Sequence, residues 1–359
     1  MEKQLGIGFV GCGNISRTYL PNVTKMFPNL RLVGVCDLIP ERSKEASEKY
    51  GCKCYKDMYE LFADPEVDMV LNITRPAQHY AVSKAALLAG KNVWSEKPLS
   101  PNFEEAKELT EIAKAKGLTL GGAPDTFLGA GIQTARALID AGEIGDVIGG
   151  AARFVSHGME MWHPDPEFFY VYGGGPVFDM CPYYVTALVN LIGRVDAVTS
   201  FTKRSFDTRT ITSQPKAGKV IPVEVQTYVS GVLRFENGAV CSVLATWDIY
   251  SKGGTHIEIY GTKGTIIVPD PNCFGGEVKL LRAGAQDYEV IPLRSHYTAN
   301  CRALGMSEAF EAMQEGRMHR ANYMQQLHVV EVMNALNNSN GTEIKITTPF
   351  ERQPLFVEE

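Results

Sequence analysis

Residues 6–16, Gly6-Ile7-Gly8-Phe9-Val10-Gly11-Cys12-Gly13-Asn14-Ile15-Ser16, decide the fold. An apolar run ending at Val10 reads as a short strand, Gly11 opens a turn, and residues 14–25 carry apolar side chains at helical spacing. The turn is G-x-G-x-x-G with Ser16 at the third glycine. The first glycine makes the tight turn. The second lets a pyrophosphate approach the backbone at a helix N-terminus, whose dipole favours the anion. Ser16 is small enough to keep the helix packed on its strand. A second strand ends in Val35-Cys36-Asp37, near the ~20-residue spacing expected of a carboxylate that binds the adenosine ribose. An Asp there accepts hydrogen bonds from both ribose hydroxyls and repels a 2′-phosphate, so NAD is expected rather than NADP. Gly11, Gly13, Asn14, Ile15 and Asp37 are the expected cofactor contacts. The alternative is a plain turn followed by a capping Asp.

Working outward, the same rhythm continues. Strand-like runs at 6–10, 30–36, 68–73, 92–94 and 118–121 alternate with helical patterns at 14–25, 41–50, 79–89 and 103–116. Strands separated by helices predict an α/β, doubly wound parallel sheet with right-handed crossovers. After Pro124 the texture changes. One helix at 131–141 is followed by strands at 147–155, 225–235, 239–247, 255–260, 264–268 and 277–281. Turns at Glu236-Asn237-Gly238 and Thr262-Lys263-Gly264 predict an α+β half dominated by antiparallel hairpins. Helices are expected at 307–315 and 322–337 and a last strand at 343–347, while the polar stretch 203–219, with Pro and Gly, is expected to be a mobile loop. The expected domains are 1–123 and 124–359.

Composition narrows the function. With 359 residues, 45% hydrophobic and 21% charged, the chain is an ordinary globular one rather than a disordered one. A net charge of −6 offers no basic footprint for nucleic acid. No apolar run reaches the ~18 residues of a spanning helix, and residues 1–4 lead straight into a strand rather than a signal peptide. Neither membrane nor nucleic acid is an expected partner, and the expected location is cytoplasmic. Cys12, Cys36 and Cys241 sit in apolar runs; Cys52-x-Cys54 lacks a second pair or a nearby His. With no His-Glu-x-x-His and no EF-hand loop, no metal is expected.

A second motif, Ser95-Glu96-Lys97-Pro98, closes the strand holding Val93 and Trp94. Strand C-termini line the ligand crevice of an open parallel sheet, which puts Lys97 at the nicotinamide end; the alternative is a surface turn. The chain resembles the Gfo/Idh/MocA family, which includes glucose–fructose oxidoreductases and inositol dehydrogenases. The likeness rests on Gly11-x-Gly13, Asp37, Thr74-x-Pro76-x-x-His79, Ala89-Gly90-Lys91-x-Val93-x-x-Glu96-Lys97-Pro98, Ala141-Gly142-x-Ile144-Gly145, and Gly173-Gly174-Gly175 followed by Asp179. The resemblance implies an N-terminal Rossmann domain and a C-terminal domain on a large open mixed sheet, mainly antiparallel. It also implies NAD(P)-dependent oxidation or reduction of sugars, cyclitols or related polyols by a homodimer or homotetramer joined through the open sheet face. Thr74, Pro76, His79 and Glu96 then belong to the cofactor site, with His79 supporting its loop. Lys97 contacts cofactor and reacting oxygen, and Asp179 is the active-site Asp. The common pattern Asp-x-Gly-x-His-x-x-Asp here reads Asp179-Met180-Cys181-Pro182-Tyr183-Tyr184-Val185-Thr186. Tyr183 stands at the His, as in the glucose–fructose oxidoreductase branch, Cys181 replaces Gly, and Thr186 replaces the second Asp. The family Arg is Thr126 here.

A phenol has a pKa near ~10, and a neighbouring ammonium favours its ionised form. If Lys97 supplies that charge, Tyr183 can take the substrate proton as hydride leaves, a general-base contribution of ~10²- to 10⁴-fold. The alternative is a Tyr183 that only donates a hydrogen bond from a packed helix. Adjacent Tyr184 faces elsewhere and is expected to pack. Residues 162–170, Trp162-His163-Pro164-Asp165-Pro166-Glu167-Phe168-Phe169-Tyr170, have the aromatic and polar make-up of a sugar site. Trp162 and His163 are candidate substrate contacts and His163 an alternative base, against a solvent-facing loop. Arg153 and His157 are candidates for the same cleft. His328 reads as a packed or partly exposed helix residue, and His256, His296 and His319 lack a partner pattern. Three functions compete: an NAD-dependent dehydrogenase, a redox-neutral enzyme that modifies or cleaves sugars with tightly held NAD, and a non-catalytic dinucleotide sensor.

Overall fold

The computed structural model describes residues 3–251, 253, 254 and 256–356. Met1, Glu2 and Thr255, the first residue of the predicted strand 255–260, lie outside them. The chain forms two compact units, 1–126 with 300–327, and 127–299 with 328–359.

In the first unit the order is β1 (Leu5–Val10), α1 (Ser16–Lys25), β2 (Leu30–Cys36), α2 (Pro40–Tyr50), β3 (Lys53–Cys54), α3 (Met58–Ala63), β4 (Met69–Asn72), α4 (His79–Leu88), β5 (Asn92–Ser95), α5 (Phe103–Lys116) and β6 (Leu120–Gly122). The sheet runs β3-β2-β1-β4-β5-β6 with every pairing parallel. Ile7, Phe9, Leu71 and Val93 have no exposed surface, each such side chain contributing ~1.5–3 kcal/mol by leaving water. Local chemistry sets the helix ends. Pro40 opens α2, Asp57 accepts the amides of Tyr59 and Glu60 ahead of α3, and Asn102 accepts that of Glu105 ahead of α5. Gly51 and Gly117 close α2 and α5 in the left-handed conformation.

A cut at 123 does not describe this unit fully, because residues 300–327 return to it. Asn22 Nδ2 donates to the carbonyls of Asn300 and Arg302 (2.9 and 2.8 Å). Asp125 Oδ2 accepts the amides of Ala303 and Gly305 (3.0 and 3.1 Å), and Gln326 Nε2 donates to the Gly122 carbonyl (2.8 Å). A linear pattern search has no means of seeing such contacts across the chain.

The second unit holds α6 (Ala130–Asp140), β7 (Val147–Val155), α7 (Gly175–Asp179), α8 (Cys181–Leu191), β8 (Val195–Lys203), β9 (Thr208–Thr210), β10 (Val220–Pro222), β11 (Tyr228–Phe235), β12 (Val240–Thr246), β13 (Ile257–Gly261), β14 (Gly264–Val268), β15 (Val278–Arg282) and β16 (Glu289–Ile291). α9 (Leu304–Glu315) belongs to the first unit, α10 (Tyr323–Asn338) starts there and ends in the second, and β17 (Ile344–Lys345) is last. The sheet runs β16-β15-β14-β13-β7-β12-β11-β8-β17. Among the described residues of this sheet, β7 and β12 alone pair in parallel. Along β11, buried Val229, Leu233 and Phe235 alternate with the exposed Ser230 and Val232, the pattern of a sheet with one packed face. α8 is buried on every side.

One expectation needs correction. The stretch 203–219 contains β9, which pairs antiparallel with β10 and buries Arg209 between two carboxylates; its polar composition reflects an ion cluster rather than a bare loop. His328 is the packed helix residue of the two expected alternatives: it is wholly buried, its Nε2 accepting the Val195 amide (3.2 Å) and its Nδ1 meeting Thr348 Oγ1 (2.9 Å).

Candidate active site

At the C-terminal ends of the parallel strands, Gly11 has φ +105° and an added Cβ would stand 2.9 Å from the Ile73 carbonyl oxygen. Glycine is required there both for conformation and for the close approach of the loops after β1 and β4. Gly13 differs, since a Cβ would meet nothing within 4 Å. The room in front of it is what a pyrophosphate needs against bare backbone. α1 begins with no side-chain cap at Ile15, and its first amides, Ser16, Arg17 and Thr18, bond back to the carbonyls of Gly13, Asn14 and Ile15 (3.2, 3.2 and 3.0 Å), so what this end offers an anion is the helix dipole and the backbone of the glycine turn ahead of it. Ser16 is buried and donates from Oγ to the Gly13 carbonyl (2.6 Å). Asp37 Oδ2 accepts the Cys12 amide (2.6 Å) and Oδ1 that of Ile39 (2.8 Å), so the glycine turn itself orients the carboxylate. Burial, reinforced by Asp37, pushes the Cys12 thiol up to about 12, which makes it an inert one.

The loop after β4 is organised by buried Asn72. Its Oδ1 accepts Thr74 Oγ1 (2.7 Å) and its Nδ2 donates to the His79 carbonyl (3.0 Å) and Ser83 Oγ (3.0 Å). Pro76 begins a single 3₁₀ turn leading into α4. His79, at the start of α4, is buried with Nδ1 2.7 Å from the Pro98 carbonyl and Nε2 3.1 Å from that of Thr74. Burial draws its pKa down, opposed by the two carbonyls.

Lys97 follows β5 and is half-buried. Its loop is fixed on several sides. The Glu96 amide donates to the Asn72 carbonyl (2.8 Å), Glu96 Oε2 accepts the Lys97 amide (3.0 Å), and Tyr19 on α1 donates its hydroxyl to Glu96 Oε1 (2.8 Å). The Lys97–Pro98 peptide is cis. Glu96 therefore acts on the lysine backbone, and Tyr19, which the sequence reading did not single out, ties it to the helix of the glycine turn.

In the second unit, Asp179 is half-buried at the end of α7, and buried Tyr183 follows in the first turn of α8. Tyr184 packs as expected, but its hydroxyl also meets His256 Nδ1 (2.7 Å), a partner for a histidine in which no pattern was read. Trp162 is exposed and lies edge-on to His163, with ring centroids 5.4 Å apart. His163 is buried against Phe168 and Phe169, and its Nδ1 accepts the Asp165 amide (3.0 Å). An amide only donates, so the ring hydrogen of the neutral form sits on Nε2. His157 stacks on Tyr250 at 3.5 Å, and its Nε2 lies 3.4 Å from Arg209 Nη1. Burial and the Arg209 charge pull its pKa down. Arg153 is exposed on β7 beside buried Ala152. Trp162 and His163 are thus together, His157 belongs to the Arg209 cluster, and the Arg153 guanidinium lies near Gly254.

That cluster is the largest feature missed from sequence. Arg209 Nη1 meets Glu160 Oε1 (3.1 Å) and Nη2 meets Asp248 Oδ1 (2.6 Å), with all three side chains at most 6% exposed. Tyr170 donates to Glu160, and Thr227 Oγ1 to Asp248 Oδ2 (2.7 Å). Among the described residues no group of three or more His, Cys, Asp or Glu could hold a metal ion, and no helix is long and apolar enough to cross a membrane.

Comparison with known proteins defines the class. A family profile described as "Oxidoreductase family, NAD-binding Rossmann fold" matches residues 5–122, and one described as "GFO/IDH/MocA C-terminal domain" matches 132–267. The chain belongs to the Gfo/Idh/MocA oxidoreductase family, and its first unit is an NAD-binding domain. It is 26% identical over 242 residues to a D-xylose dehydrogenase of Paenarthrobacter nicotinovorans, a match spanning 64% of this chain and 61% of the relative. It is 26% identical to scyllo-inositol 2-dehydrogenase (NAD(+)) of Bacillus subtilis (strain 168) over 81% of each chain. A solved levoglucosan dehydrogenase in complex with NADH superposes with TM-score 0.82 and 22% identity over 97% of this chain and 100% of the other, a likeness of fold.

Proposed function

We propose that the protein is an NAD-dependent dehydrogenase or reductase that moves a hydride between the nicotinamide and a hydroxyl or carbonyl carbon of a sugar, sugar derivative or cyclitol. The observation that carries this reading is the anchored lysine loop, held by Glu96 and His79 at a strand end of an NAD-binding sheet. The substrates in the names of the relatives, D-xylose and scyllo-inositol, support a polyhydroxylated one.

Bound NAD supplies the hydride acceptor or donor. Asp37 would hold the ribose hydroxyls, and the glycine turn at Gly11 and Gly13, with the N-terminal end of α1 behind it, would hold the pyrophosphate. The Lys97 ammonium donates to the reacting oxygen and stabilises negative charge as it develops there. Asp179 binds substrate, and Tyr183 takes the hydroxyl proton during oxidation and returns it during reduction. His163 fits the base role poorly, since with Nδ1 occupied by the Asp165 amide it presents a donor; with Trp162 it is better suited to binding. We place the protein in the cytoplasm as a homodimer or homotetramer joined through the open sheet face. Exposed Phe201 on β8 and Val232 on β11 support that surface.

The test is NADH formation with a panel of D-xylose, levoglucosan and inositols, run on wild type and Lys97→Ala. The variant should lose turnover by ~10²-fold or more while NADH titration by fluorescence stays within about twofold. Near-normal turnover in Lys97→Ala would reduce the lysine loop to a structural turn.

A further inference from the structure

Between the two loops of the first unit that bear on cofactor and lysine lies one buried side chain. His79 reaches the Thr74 carbonyl with Nε2 and the Pro98 carbonyl with Nδ1 (3.1 and 2.7 Å). Its own carbonyl accepts from Asn72, whose carbonyl in turn accepts the Glu96 amide. The ring therefore spans from the loop after β4 to the loop after β5, next in chain to Lys97. Carbonyl oxygens only accept, so each arm closes when its own ring nitrogen carries the hydrogen, and the neutral ring that burial favours donates to one of the two carbonyls at a time.

We propose that His79 is a two-armed positioning residue, its Nε2 arm setting the Thr74 loop for the dinucleotide and its Nδ1 arm setting the Lys97-Pro98 loop for the reacting oxygen. The second arm rests on the dehydrogenase reading; the first needs only NAD binding. A general packing role predicts that every substitution disturbs both loops alike. Two separate arms predict that they can be removed one at a time.

Two near-isosteric substitutions make that separation. The amide nitrogen of Asn occupies the place of Nδ1 and that of Gln the place of Nε2, so H79N keeps the Pro98 arm and H79Q the Thr74 arm. The experiment combines NADH titration by fluorescence with hydrogen exchange read by mass spectrometry on peptides covering 72–79 and 93–100, using the full chain. Amides of Thr74 and Gln78 report the first loop and those of Glu96 and Lys97 the second. H79N should weaken NADH binding about fivefold, the effect of one lost hydrogen bond, and speed exchange at 72–79 alone. H79Q should bind NADH within about twofold of wild type, exchange faster at 93–100 alone, and lower kcat on any sugar the wild type turns over. Thermal melts confirm that both variants fold. Identical behaviour of the two variants in both loops, or wild-type exchange in both, overturns the proposal. Failure of the wild type to oxidise any sugar would count against the dehydrogenase reading and leave the exchange and NADH results to decide the clamp.

Discussion

Replacing Arg209 by Met tests how the aromatic loop of the second unit is held. The substitution keeps much of the side-chain volume but removes the guanidinium that pairs with both Glu160 and Asp248, whose side chains are 6% and 5% exposed. Two carboxylates would then face each other out of water, each keeping one hydroxyl donor, Tyr170 and Thr227. Removing one partner of a buried ion pair costs ~3–5 kcal/mol. At ~2–4 °C per kcal/mol for a unit of this size, Tm should fall by ~6–20 °C. The loss should be local in origin, because Glu160 also accepts the Thr212 and Ser213 amides on its backbone carbonyl and Ser213 Oγ bonds the His163 carbonyl (2.5 Å). Releasing Arg209 therefore loosens the segment bearing Trp162 and His163. Calorimetry gives the Tm, and steady-state kinetics with NADH titration give the functional split: KM for the sugar should rise while NADH affinity stays unchanged. A melt within 2–3 °C of wild type, or an equal loss of NADH affinity, would refute the reasoning, and Arg209→Lys should recover only part of the stability because a lysine cannot fork between two carboxylates.

Asp37→Ser should narrow the preference for NAD over NADP, read as the ratio of kcat/KM values; equal use of both cofactors by the wild type would sink the assignment of Asp37. Tyr183→Phe keeps the buried ring but removes the proton carrier, so kcat should fall ~10²-fold or more with little change in Tm, whereas His163→Asn should act mainly on KM; the reverse pattern would make His163 the base. His319 and His328 are buried, and their pKa values are drawn down to about 4 by burial. Unfolded histidines take up protons from about pH 6.5 downward while these stay neutral. Their stabilising contribution is therefore whole above about pH 6.5 and lost as the pH falls towards 4, by up to ~3 kcal/mol each. His328→Gln, which can still accept the Val195 amide, should flatten that part of a Tm-against-pH curve, and an unchanged slope would argue against it.

The fold was legible wherever its signals are local. Gly11, Gly13 and Asp37 carry their meaning within one strand-turn-helix unit and the next strand, and the structure joins them through the Cys12 amide. Alternating β11 and the hairpin turn at 236–238 announced the second sheet in the same way. What was not legible depends on distant pairing. Residues 300–327 return to the first unit because Asn22, Asp125 and Gly122 offer hydrogen-bond partners far away in the chain. The polar run around Arg209 looks like a loop until Glu160 and Asp248 are placed on either side of it.

The candidate site divides along the same line. Lys97 could be picked out because a strand and a Glu-Lys-Pro turn mark it, but nothing in that turn shows that Glu96 points back at the lysine's own backbone or that Tyr19 completes it from α1. Tyr19 is ordinary as a helix residue and becomes informative only through the carboxylate it meets, with no exposed surface of its own. A hydroxyl so placed gives Glu96 one fixed orientation, which a bare carboxylate on a turn would not have, and that orientation fixes the Lys97 amide in turn. The residues proposed to act on ligands are thus the ones that motifs reveal, while Tyr19, Asn72 and Arg209, which hold the neighbouring loops, are legible only through their partners. If Lys97 acts as proposed, such a site is sensitive to small changes at positions that never touch substrate, because a misplaced lysine would lose the oriented hydrogen bond on which transition-state stabilisation depends.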